Sequence, residues 1–195
     1  MRSSDQERRI YKSLCASYDS GYAIVKDEVA DRRAMTIAAS YLPIAQEGDR
    51  DPSHYVPEFS RRARGFATWA MLKHLGRSGI SALIDRCCLA ARMIAERISR
   101  EPGIEVVNDV VLNQIVCRFG AELPLSDADD LTRRVINRLQ RDGIIFVAGA
   151  KWRGREVLRI SVCNYQIDAE EASLAAKSII TSCRSECLSP GPAGI

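Results

Sequence analysis

The spacing of apolar side chains changes its period at Pro102-Gly103. Upstream, from Ser78 to about Ser99, Ile80, Leu83, Ile84, Cys87, Ala91, Ile94 and Ile98 recur at three- and four-residue intervals and define one broad helical face. Downstream the interval falls to two over Ile104–Val107 and Leu112–Phe119, with Asn108-Asp109 as a turn signal between two strands. A second helix is expected before the first, over residues 63–75, its apolar side formed by Phe66, Trp69, Ala70, Leu72 and Leu75 and its end set by Gly76.

After the two strands, Ser126-Asp127-Ala128-Asp129 resembles a capping box and predicts a helix to Leu139, closed by Asp142-Gly143. Two further β-rich runs follow, Ile144–Ala150 and Glu156–Cys163, joined by a hairpin connection over Lys151–Arg155. A last helix is predicted from Asp168 as N-cap to about Ser182, followed by a tail rich in Ser, Pro and Gly. The order strand, strand, helix, strand, strand, helix predicts an α+β fold, an antiparallel sheet with helices on one face. Closer to the start, Gly21–Lys26 predicts a strand and Asp27–Ala39 a short helix. The segment Pro43–Pro57 predicts a long loop.

Composition narrows the function classes. A chain of 195 residues that is 46% hydrophobic and 27% charged can bury one sizeable core. With 28 Lys and Arg against 25 Asp and Glu, the net charge of +3 imposes no whole-chain field for nucleic acid or anionic membrane. Apolar runs are broken well short of the roughly 18 residues of a membrane span, and the start MRSSDQERRIYK lacks a secretory apolar segment, so a cytoplasmic location is expected. The seven cysteines are an odd number without CxxC or Cys/His spacing, and they predict reduced, mostly buried thiols and no metal site. The arginine cluster Ser60-Arg61-Arg62-Ala63-Arg64 lacks interleaved aromatics and makes a weak nucleic-acid footprint.

Four segments carry more. KSLCASYDSGYAIVKD at 12–27, YVPEFSRRARGFATWAMLKHLGRSGI at 55–80, GIEVVNDVVLNQIVCRF at 103–119 and KWRGREVLRISVCNYQ at 151–166 together resemble, in order, the C-terminal part of the pyridoxal-phosphate-dependent group II amino-acid decarboxylases, the aromatic-amino-acid and glutamate decarboxylase family. The resemblance runs over about residues 12–182. It implies a fold-type I (aspartate aminotransferase-like) architecture: a non-matching leader at 1–11, the end of the large domain with its mobile loop at 12–59, two connecting helices at 60–102, the small α+β domain at 103–182 and a disordered tail at 183–195.

The same resemblance implies pyridoxal 5′-phosphate as cofactor, an amino acid as substrate and a homodimer as the assembly. It places Lys12 where the family's lysine forms a Schiff base with the cofactor aldehyde, work that suits an amine once it is desolvated and deprotonated. It also places Tyr41, followed by Leu42, where a loop tyrosine protonates the substrate carbon after carbon dioxide leaves. Arg61, Arg62 and Arg159 become candidates for pairing with carboxylates near the cofactor site. Read as bare residues, Lys12 is equally a solvated lysine, Tyr41 equally a packing residue, and the three arginines ordinary ion-pairing groups.

The sequence departs from the family in two places beside the lysine: Tyr11 stands for the family's His and Ser13 for its Trp. The family's phosphate cradle, ring-stacking residue and acidic partner for the ring nitrogen lie ahead of the lysine, where this sequence has eleven residues. Two expectations follow. One is a C-terminal fragment of a decarboxylase, inactive alone; the other is a non-catalytic, truncated or degenerate paralogue serving as a binding or dimerisation module, with Phe66, Trp69 and Met71 on an uncovered apolar surface.

Overall fold

A computed structural model describes residues 24–36, 51–56 and 62–188. The described residues up to Met71 belong to one compact unit and those from Leu72 onward to another.

In the first unit, helix α1 (Glu28–Met35) starts from Asp27, whose Oδ1 accepts the Ala30 N–H at 3.0 Å. The expected strand does not extend into the residues described here: Ile24–Lys26 is irregular and Ile24 is exposed, since no neighbouring strand pairs with it among the described residues. A 3₁₀ turn (Pro52–Tyr55) stands within what sequence reads as loop, capped by Asp51, whose carboxylate accepts the Ser53 N–H at 2.8 Å. That bond holds the Asp51 carboxyl below its ordinary pKa. Tyr55 donates to Glu28 at 3.1 Å and Arg32 meets the His54 ring at 3.4 Å, so α1 and the turn brace one another. The start of helix α2 (Arg64–Ile98) also belongs to this unit.

Gly76 interrupts α2 with φ 61° and ψ −176°, a combination that a residue with a Cβ pays heavily to adopt. The interruption falls where the sequence predicts one helix to end and the next to begin. In the second unit α2 buries Leu83, Cys87, Ala91, Ile94, Ala95 and Ile98, the predicted stripe.

Four strands form one antiparallel sheet: β1 (Ile104–Val106), β2 (Gln114–Phe119), β3 (Ala148–Trp152) and β4 (Arg155–Ser161), in the spatial order β1-β2-β4-β3. Ile115 opposes Ile160, Cys117 opposes Leu158 and Ile104 opposes Phe119, so one face of the sheet is a continuous apolar layer. Helix α3 (Leu125–Asp142) lays Leu131, Val135, Ile136 and Leu139 into the same core, and helix α4 (Ala169–Leu188) adds Ala172, Ala176, Ile179 and Cys183. The α+β expectation is met.

The departures are local. The β2 strand starts at Gln114 and leaves Leu112 exposed, because Asn108 organises the preceding turn: its Oδ1 accepts from Val116 N–H at 2.7 Å and its Nδ2 donates to Gln114 C=O at 3.2 Å. Helix α3 has Pro124 at its N-cap, without a side-chain cap, while the Ser126 hydroxyl bonds Asp127; the capping box does not form. The β3 strand begins at Ala148 and not at Ile144, since it is Ala148 that first meets a partner, Arg159. Helix α4 passes Ser182 and continues to Leu188, because Cys183 and Glu186 are buried; residues 183–188 are helix rather than tail. At the hairpin tip, Arg153 and Gly154 both have positive φ, 50° and 78°, the pairing that a tight two-residue turn demands.

Gly120 is the one glycine that packing as well as backbone requires. Its φ is +73°, and a Cβ there would sit 2.8 Å from Leu123 Cδ1 and 3.2 Å from Leu131 Cδ2. Leu123 is half-exposed and can swing aside, whereas Leu131 is buried. Gly120→Ala is therefore expected to cost about 2 kcal/mol, mostly backbone strain, read as a lowered urea midpoint at unchanged slope. An unchanged midpoint would show that the turn relaxes freely.

Arg184 of α4 holds Glu101 by a two-pronged ion pair, Nε–Oε1 2.6 Å and Nη2–Oε2 2.7 Å, fastening the end of α2 to the last helix. The Arg184 hydrogen bond keeps the Glu101 carboxyl below its ordinary value of 4.5. A carboxyl depressed in the folded state contributes stability above the unfolded value and loses it as pH falls through the folded one. Glu101→Gln should thus lower the thermal midpoint at pH 7, by an amount that shrinks when the midpoint is measured again at a pH below the ordinary carboxylate range. A uniform offset at both pH values would mean the pair acts through packing alone.

Candidate functional site: the arginine face of the sheet

Strand alternation decides what the second face of the sheet presents. With Ile115, Cys117, Phe119, Leu158 and Ile160 turned to the helices, Val116, Arg118, Val157 and Arg159 take the other side. Arg159 stands between Val116 and Ala148, half-buried in the middle of that face. Arg118 pairs across strands with Glu105, with Nε–Oε2 2.6 Å and Nη2–Oε2 2.5 Å. Near the hairpin, Trp152 opposes Arg155, and the Arg153 guanidinium lies 5.8 Å from the Trp152 ring centroid.

A cavity of about 420 Å³ opens on this face, lined among others by Glu105, Arg118, Trp152, Arg153, Arg155 and Val157. Guanidinium groups outnumber carboxylates there by three to one. Such a surface is built for anions: planar guanidinium forks match carboxylate or phosphate oxygens, and the indole ring supplies a flat apolar wall. Lys151 takes the opposite side of β3, where its Nζ is 3.8 Å from Glu156.

Of the five candidate site residues, the structure places two. Arg159 lies on this face, as a strand residue alternating with buried neighbours. Arg62 is exposed just ahead of α2, its carbonyl accepting the Arg64 N–H at 2.8 Å, and it belongs to the other unit. Lys12, Tyr41 and Arg61 lie outside the described residues. The sequence reading missed Glu105, Arg118, Trp152 and Arg155; the usable signal was the polar half of the β2 alternation, which puts Arg118 on the side of Val116.

The thiols are no part of this site. Burial pushes Cys117 up to about 12 and, with Cys187 beside it, Cys183 likewise to about 12. Both are expected to resist iodoacetamide at pH 8 until the protein unfolds, as peptide mass mapping would show; modification of either in the native protein would contradict the packing described.

Residues 10–119 match the pyridoxal-dependent decarboxylase conserved domain. The chain belongs to this family. Similar curated decarboxylases include the aromatic-L-amino-acid decarboxylase of Sus scrofa, 23% identical over 172 residues that cover 87% of this chain and 34% of that protein. A probable L-aspartate decarboxylase of Pyrococcus furiosus is 40% identical over 81 residues, 42% of this chain and 21% of that protein. Among solved structures, mouse CSAD superimposes with a TM-score of 0.77 at 17% identity, over 89% of this chain and 38% of that one. The structure of Oryza sativa TDC with PLP and tryptamine gives 0.58 at 23% identity, over 64% of this chain and 27% of that one. The chain thus spans about a third of the length of the Sus scrofa decarboxylase. Its fold is that of the fold-type I pyridoxal-phosphate decarboxylases.

A cofactor of this kind needs a lysine for its aldehyde, donors for its phosphate and an acid for its ring nitrogen. Among the described residues the arginine face offers anion-binding groups and one carboxylate, Glu105, already paired with Arg118, and no lysine. The described residues therefore do not make a cofactor site by themselves.

Proposed function

We propose that this decarboxylase-family chain is the C-terminal portion of a pyridoxal-phosphate-dependent amino-acid carboxy-lyase, with 12–59 closing the large domain, 60–102 connecting and 103–182 forming the small domain. The observation that carries the reading is the match over residues 10–119, continued at 87% coverage by the Sus scrofa decarboxylase. In this reading Lys12 holds the cofactor, Tyr41 returns a proton to the substrate carbon, and Arg61, Arg62 and Arg159 pair with carboxylates. The substrate is an amino acid. The chain works only together with a cofactor-holding region such as its relatives carry in the rest of their length, and it acts as a homodimer in the cytoplasm. Among the described residues no helix is long and apolar enough to cross a membrane.

The test is covalent capture. The chain, completed by a cofactor-holding region of the kind its relatives carry, is incubated with pyridoxal phosphate, reduced with borohydride and digested; cofactor mass on the Lys12 peptide supports the assignment. Labelling scattered over surface lysines at the level of an unfolded control would count against it.

A second reading has its own observation. Phe66 and Trp69 are 68% and 58% exposed, and their rings lie 5.8 Å apart on one flank of α2. Adjacent exposed aromatics suit a partner surface, and with Tyr11 and Ser13 in place of the family's His and Trp they favour a non-catalytic dimerisation module. Under that reading Trp69→Ser converts a sedimenting dimer to monomer while the Lys12 peptide stays unlabelled throughout. A wild-type monomer at micromolar concentration would rule it out.

A further inference from the structure

The second unit holds another cavity, of about 360 Å³, with a different character. Its walls are Ile94 of α2, Ile160 of β4, Val162, Ile167 and Ile179 of α4, all buried core residues. Its mouth is apolar too: Phe146 is 93% exposed, and Ile144 and Leu174 are half-exposed. A single charged side chain lines it among the described residues, Glu171, and no lysine, arginine or histidine does. The Asn164 Nδ2 donates to Glu171 Oε2 at 3.2 Å and fixes the exposed carboxylate at the rim.

We propose that this cavity binds a small organic monocation with an apolar body, an arylalkylamine or alkylamine, its ammonium against Glu171 and its apolar end against Ile144, Phe146 and Leu174. The volume lies in the range of ordinary small-ligand pockets and exceeds the ~150 Å³ that takes one benzene ring, leaving room for a short chain. Charge decides the class. An anion would meet Glu171 with no cation to receive it, and an amino acid would bring its own carboxylate to the same rim. The site therefore separates an amine from its parent amino acid. An amine left by loss of a carboxylate belongs to this class, so in a decarboxylase the cavity would sense product; that extension rests on the proposed function, whereas binding is read on the chain itself.

The experiment titrates the full 195-residue chain with 2-phenylethylamine, 2-phenylethanol, 3-phenylpropanoate and L-phenylalanine, followed by calorimetry and by the methyl resonances of Ile144 and Leu174. The amine is expected to bind and to shift both methyls, the alcohol to bind about fivefold more weakly, and the anion and the amino acid to leave both unchanged. Glu171→Gln should bring the amine down to the alcohol's affinity, and Glu171→Lys should exchange the amine for 3-phenylpropanoate; urea midpoints close to the parent's confirm that both variants fold. The inference is overturned if saturating amine moves neither methyl, or if the amine and the alcohol bind alike and ignore Glu171→Gln. It is overturned equally if Phe146→Asp turns a dimer into a monomer and the amine binds neither form, which would make a second copy of the chain the occupant. None of these results depends on cofactor capture at Lys12.

Discussion

Phe119→Ala should cost about 3–5 kcal/mol, enough to take a domain of ordinary stability to the edge of unfolding at 25 °C. Phe119 is fully buried at the end of β2, opposite Ile104, and its backbone N–H donates to the buried Thr132 hydroxyl at 3.2 Å. Removing the ring leaves a void between sheet and α3 that the neighbouring backbone cannot close, because strand pairing on one side and the Thr132 bond on the other hold it in place. Urea denaturation of the variant measures the loss, and Leu112→Ala, on an exposed side chain, serves as the control with an expected change under about 0.5 kcal/mol. A Phe119 effect as small as that of Leu112 would mean the described core is wrong.

The other large effect belongs to Lys12. If the proposed function holds, Lys12→Ala in a chain completed by a cofactor-holding region abolishes both the visible absorbance of bound pyridoxal phosphate and turnover, since the amine that forms the imine is removed. Lys12→Arg should fail as completely, because a guanidinium stays protonated at any working pH and cannot act as the nucleophile. Tyr41→Phe separates the two steps: cofactor capture is expected at the parent level, with decarboxylation down by 10²-fold or more, the usual loss on removing a positioned proton donor. Retained absorbance in Lys12→Ala would refute the first assignment, and a parental rate in Tyr41→Phe the second.

Periodicity made the helices of the second unit and the strand faces legible, since both depend on local burial that the sequence displays directly. The stop at Gly76 and the cap at Asp168, whose Oδ1 accepts the Glu171 N–H at 2.8 Å, were equally plain because each is a single-residue chemical signal. What failed was everything set by a distant partner. Ile144–Phe146 is as β-prone as any strand, yet pairing begins only at Ala148, because β4 offers its first partner there. The site was half legible for the same reason: alternation reveals that Arg159 and Arg118 lie on the same side of the sheet, but only the sheet order brings Trp152 and Arg155 into one cavity with Arg118.

The order β1-β2-β4-β3 also fixes when the sheet can be completed. Each outer pair is short-range, β1 with β2 and β3 with β4, whereas the central pair joins Gln114 to Ser161, 47 positions apart. During synthesis the first hairpin therefore waits with one apolar face and one hydrogen-bonding edge open until residue 161 has emerged, several seconds at ordinary elongation rates. Long-range closure of this kind slows folding and lengthens the time in which the β2 edge can pair with another chain. A nascent chain arrested before β4 should consequently be held by chaperones or aggregate, while one released after α4 should not.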